Sequence, residues 1–171
     1  MNVSVEAVKK LREKTGAPMG DVRQALEASG GDEAKAVKWL NQKGFEAAQK
    51  RQARATGAGR IESYVHHDGR VAALVEINCE TDFVARLPEF QQFCRDVAMQ
   101  VASQHPVCVK AEELSTAQES AKEACLLEQP FIKDQAQTIG QLLASLVAKT
   151  GENVVVRRFT RFGLGEKFNA A

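Results

Sequence analysis

The chain has 171 residues, 44% hydrophobic and 26% charged, with a net charge of +1. This is the composition of a soluble globular protein large enough to bury a real core without metals or disulfides. No apolar run approaches the roughly 20 residues of a membrane span, and "MNVSVEAVKKLREKTG" lacks a signal-peptide core and cleavage site. The expected location is cytoplasmic, with no membrane partner.

Residues 1–60 carry a net +5, residues 61–148 a net −7 and residues 149–171 a net +3. Such separation suggests two units and a partner met by the basic ends. The overall balance makes a nucleic-acid binder unlikely, since such a domain is usually strongly basic. Cys79, Cys94, Cys108 and Cys125 form no C-x-x-C pair, so a zinc site is not expected. All four read as structural thiols, with Cys79 and Cys94 as small buried hydrophobes.

Residues 1–45 read as a three-helix docking domain. Ser4 caps a first helix with Val5, Val8 and Leu11 at helical spacing, and Gly16 ends it. Pro18 pre-sets a second helix bearing Val22, Ala25 and Leu26, stopped by Gly30 and Gly31. Asp32 caps a third, with Val37 and Leu40 inward, closed by Gly44. Residues 46–59, Ala-rich and basic before Gly57 and Gly59, read as a helical connector and flexible boundary.

Residues 60–171 read as an α+β core. "RIESYVHH" and "RVAALVEINC" alternate as strands around a two-residue Asp68-Gly69 turn. Val71, Ala73, Val75, Ile77 and Cys79 share one face. His66 and His67 are expected on opposite faces, which suits a shared metal badly. After Pro88, a helix places Phe90, Phe93, Val97 and Val101 on one stripe, ending at His105-Pro106. Ser115 to Leu127 reads as helical and polar. Thr138 to Thr150 is a further helix with Ile139, Leu142, Leu143 and Leu146 inward, and "NVVVRRFTRF" supplies a third strand. Antiparallel strands packed on helices give the α+β class.

No phosphate-binding G-x-x-x-x-G-K-[ST], dinucleotide fingerprint, G-x-S-x-G or H-E-x-x-H occurs. With only three histidines and no convergent acid–base set, the chain is not expected to be an enzyme or to need a cofactor. In "VVVRRFTRF", Phe159 and Phe162 are three apart and face opposite sides of a strand. Core phenylalanines with outward arginines are therefore expected rather than an RNA stacking platform. The alternative function is a non-enzymatic RNA-binding or ribosome-associated module using residues 50–60 and 157–161.

The stretch "VEINCETDFVARLPEFQQF" holds the sharper signal. Between strand and helix it sets Thr81, Asp82, Phe83 and Val84, a carboxylate beside a large ring, where Gly, Asn or Ser would be ordinary. "LREKTGAPMGDVRQAL" (Leu11 to Leu26), "INCETDFVAR" (Ile77 to Arg86) and "GENVVVRRF" (Gly151 to Phe159) resemble the elongation factor Ts family. The similarity runs over residues 8–44, 60–86 and 125–162. The resemblance implies an exchange factor for the translational GTPase elongation factor Tu, GDP-bound and nucleotide-free. It implies a ubiquitin-associated-like N-terminal bundle, and a core whose T-D-F-V tip disturbs the Mg²⁺ site of bound GDP. By match, Thr81, Asp82, Phe83 and Val84 form that tip, and Arg12, Met19 and Arg23 the docking surface of the bundle. Gly20 stands where the family commonly has a bulky apolar residue, and Arg23 replaces the usual Lys. The second core half and coiled-coil insertion of longer members have no counterpart. With three strands read in the core and two open edges, a homodimer through the core is expected, bridged by the last strand and its neighbouring helix.

Overall fold

The structure is a computed structural model that describes residues 3–114 and 124–166. Contacts divide it into two compact units. One runs through Arg54 and takes in Ala144–Asn153; the other holds Ala55–Leu143 and the segment from Val154.

In the first unit, α1 (Val5–Thr15) starts at Ser4, whose hydroxyl accepts from the Ala7 amide at 3.1 Å. It ends at Gly16, whose φ of 64° lies in the left-handed region that favours glycine. α2 spans Met19–Ala28 and α3 spans Glu33–Arg51, the latter capped by Asp32 accepting from the Lys35 amide. Val8, Leu11, Val22, Ala25, Leu26, Ala36 and Leu40 form one buried cluster. Gly44 does not close α3, which continues to Arg51. It lies inside the helix, where a Cβ would stand 3.5 Å from the Ala144 carbonyl oxygen, an ordinary van der Waals contact. Beyond the helix, the buried Asn153 amide donates to the carbonyls of Gln52 and Arg54, supplying partners at an end where carbonyls lack them.

In the second unit, β1 (Ala58–Val65) pairs antiparallel with β2 (Val71–Cys79), and β2 with β5 (Val154–Gly163), in the order β1-β2-β5. The alternation of β2 is as expected: Ala73, Val75, Ile77 and Cys79 are buried, with Val71 half-buried on the same face. That face is covered by α5 (Pro88–Gln104), whose Phe90, Phe93, Val97 and Val101 are buried. His105 ends α5 with a φ of 48°. Gln100 is a fully buried amide on α5. It donates to Gln129 and the Pro130 carbonyl and accepts from the Ile132 amide. Those bonds moor a small hairpin, β3 (Pro130–Phe131) with β4 (Asp134–Thr138), ahead of α6 (Ile139–Thr150). α6 passes from the second unit into the first at Ala144: Ile139 is buried and Leu142 and Leu143 are half-buried before that point, and Leu146 is buried beyond it.

Several expectations need correction. The β1–β2 connection is not a two-residue turn on Asp68-Gly69. The Gly69 amide donates to His66 oxygen, so His67 and Asp68 are the central residues and Gly69 follows at φ 69°. Because β1 stops at Val65, strand alternation no longer governs His66 and His67, and their rings lie 4.3 Å apart. Most of the Ser115–Leu127 helix falls outside the described residues; within them, Leu126–Glu128 forms a 3-10 turn. Cys108 and Cys125 are not thiols but a disulfide, while Cys79 and Cys94 are buried thiols outside any disulfide. The bond joins segments already paired by main-chain hydrogen bonds from Val107 to Ala124 and from Leu126 to Cys108.

β5 carries the remaining correction. Its register slips between Glu76 and Ile77, which face Arg158 and Val156, leaving Arg157 as an extra residue. This bulge lets Arg157 and Arg158 both reach water and returns Phe159 to the face of Val154 and Val156. Arg161 then points inward, its Nε donating to the Ala102 carbonyl near the end of α5 at 3.0 Å, and Phe162 faces out. The outward face of the sheet therefore exposes Ile61, Val65, Leu74 and Phe162 together.

Candidate functional site

The T-D-F-V element forms α4, a single turn from Asp82 to Ala85. One turn is too short to hold itself, since helix nucleation costs more than one hydrogen bond returns. Two features hold it here, and an exposed ion pair spans it. The Thr81 hydroxyl accepts from the Val84 amide at 3.4 Å. Val84, 6% exposed, is turned into the core. Asp82 pairs with Arg86 one turn later, carboxylate to guanidinium, at 2.7 Å.

What this turn presents is Phe83, 77% exposed. Full burial of such a ring is worth roughly 1.5–3 kcal/mol, so leaving it in water on a braced turn forgoes a large stabilisation. Of the four tip residues, then, Phe83 and Asp82 face solvent, Thr81 caps and Val84 anchors. Arg86 was not singled out by the residue pattern, although opposite charges four apart are its sequence signal.

In the first unit, Met19 opens α2 and is 55% exposed, and Arg23 lies one turn on along the same face, ion-paired with Glu27 at 2.9 Å. Gly20 meets nothing within 4 Å of an added Cβ. Arg12 is exposed on α1. The two groups of candidates belong to separate units.

Among the described residues no cluster of three His, Cys, Asp or Glu could hold a metal, and no helix is long and apolar enough to cross a membrane. Burial pushes the Cys94 thiol up to about 12, so it is an inert packing group rather than a nucleophile. A basic cleft of about 310 Å³ follows α3 along Lys43, Lys50, Arg51 and Arg54. Its charges are partly engaged: Lys43 binds Asp21 and Gln24, and Arg51 donates to the Ala47 carbonyl. On β5, Phe159 and Phe162 lie on opposite faces and Arg158 is paired with Glu76, which offers no stacking platform.

The tip presents an exposed apolar side chain, Phe83, on a capped and anchored turn. The model of the elongation factor Ts family matches residues 21–120. An elongation factor Ts of Rubrobacter xylanophilus is 46% identical over 195 aligned residues, covering 96% of this chain and 100% of that protein. One from Solidesulfovibrio magneticus is also 46% identical, covering 96% and 98%. One from Rippkaea orientalis is 42% identical and longer, 79% of it being covered. The chain belongs to the elongation factor Ts family.

Proposed function

We propose that the protein is a guanine-nucleotide exchange factor that speeds GDP release from elongation factor Tu by disturbing its Mg²⁺ and phosphate site. The observation that carries this reading is Phe83, held in water on a capped and anchored turn. An exchange factor needs no catalytic group. It binds the nucleotide-free GTPase more tightly than the GDP-bound form, and reciprocity loosens GDP by the same factor. A thousandfold effect requires about 4 kcal/mol, more than one buried ring supplies. The balance comes from docking by Arg12, Met19 and Arg23 and from other core surface. Phe83 acts as the wedge, and Asp82 brings negative charge toward a site organised for a cation and phosphates. The protein is thus a cytoplasmic binding factor rather than an enzyme, and requires no cofactor.

The same reading includes a homodimer. The outward sheet face carries Ile61, Val65, Leu74 and Phe162, on a sheet whose outer strands β1 and β5 have one paired neighbour each among the described residues. A second copy laid on this face by a two-fold axis buries it without leaving a growing end.

The test is thermodynamic. Affinity for nucleotide-free and for GDP-bound elongation factor Tu is measured by titration, and the ratio is compared with the loss of GDP affinity in the ternary complex. The two must agree and be large. Equal affinity for both forms removes the exchange reading.

A further inference from the structure

Asp82 is not a free carboxylate. It meets the Arg86 guanidinium at 2.7 Å across the single turn that carries Phe83, and both side chains are exposed. In water such a pair four residues apart is weak. Its strength changes when a partner covers the turn. Burying Phe83 in a pocket takes its neighbour Asp82 out of water as well. A lone carboxylate is costly to desolvate, whereas one already bonded to a guanidinium carries part of its solvation with it.

Arg86 also sets where the carboxylate points. Asp82 is the first residue of α4, beside the amides of a helix start, which attract negative charge and of which the Val84 amide already donates to the Thr81 hydroxyl. The bond to Arg86 draws it the other way, along the turn toward its C-terminal end. Without Arg86, the carboxylate is released to fold back on those amides.

We propose that Arg86 is a positioning residue of the tip: it holds the Asp82 carboxylate in its docking orientation and accompanies it out of water when the tip engages its partner. This rests on the exchange reading above. Because the pair is weak in the free protein and strong in the complex, it contributes to exchange and hardly to folding.

The experiment is a double-mutant cycle on GDP release from elongation factor Tu with the full-length protein. It uses Arg86→Ala, Asp82→Ala, the double variant, Arg86→Lys and, as reference, Phe83→Ala, with thermal unfolding of each. Arg86→Ala is expected to slow exchange about tenfold with an unchanged unfolding midpoint. It is expected to have no further effect once Asp82 is Ala, and Arg86→Lys to recover most of the rate. If Arg86→Ala is silent, or if its effect multiplies with that of Asp82→Ala, the positioning role is refuted. A silent Arg86→Ala beside a strongly impaired Phe83→Ala removes this inference alone; a silent Phe83→Ala removes the exchange reading beneath it.

Discussion

Phe83 and Val84 are chain neighbours in opposite surroundings: the ring is 77% exposed and the valine 6%. The contrast assigns them different work, and two substitutions separate it. Phe83→Ala should cut exchange by at least tenfold while leaving stability nearly unchanged, far from the 3–5 kcal/mol of a core Phe→Ala. Val84→Ala should cost about 2 kcal/mol of stability. Denaturant unfolding and exchange rates measured on both variants check the assignment. Asp82→Ala should fall between wild type and Phe83→Ala in rate, because a ring filling a pocket is the commoner hot spot and Asp82 is partly neutralised by Arg86.

The open space at Gly20 makes a gain-of-function prediction. An added side chain meets nothing within 4 Å, and the site lies beside exposed Met19 at the start of α2. Gly20→Leu should therefore leave the bundle folded and tighten binding to elongation factor Tu severalfold, by adding apolar surface to the docking face. A titration showing weaker binding would place that face elsewhere.

How much of this was readable from residues alone depends on periodicity. β2 and α5 are long and regular, so their buried faces could be named from the alternation of Ala73, Val75 and Ile77 and the stripe of Phe90, Val97 and Val101. The caps at Ser4 and Asp32 were equally legible, because a side-chain acceptor before an amphipathic run has one use. Gly44 misled because a glycine that ends a helix and one that a helix runs through look alike in one dimension. The bulge at Arg157 hid because one extra residue reverses every side chain beyond it. At the tip, the motif located Thr81 to Val84, but a single turn has no period, so only the fold distinguishes the outward Phe83 from the inward Val84.

The Cys108–Cys125 bond closes a 17-residue separation, and a loop of that size contributes about 3 kcal/mol in the chain-entropy account. Reduction should lower the unfolding temperature by several degrees without abolishing folding, since main-chain bonds already join the two segments. Thiol counting in native oxidised protein should find Cys79 and Cys94 unreactive, in keeping with their burial and the raised Cys94 pKa of about 12. Calorimetry with and without a dithiol reductant checks the first point; equal midpoints would contradict it.

The outward sheet face gives a prediction on assembly. Sedimentation at low micromolar concentration should show a species of twice 18.7 kDa, and Leu74→Glu or Phe162→Asp should convert it to monomer. An interface of this kind must exceed roughly 1,000 Å² to persist. A wild-type monomer at that concentration would leave the exposed face to the GTPase.

The most direct test of the exchange account is a stopped-flow measurement of labelled GDP leaving elongation factor Tu, at micromolar concentrations of this protein, wild type and Phe83→Ala. The account predicts release accelerated by orders of magnitude with wild type, saturating with concentration, and largely lost when Phe83 is truncated in a folded protein. Release at the intrinsic rate with wild-type protein, or equal acceleration by both, would contradict it.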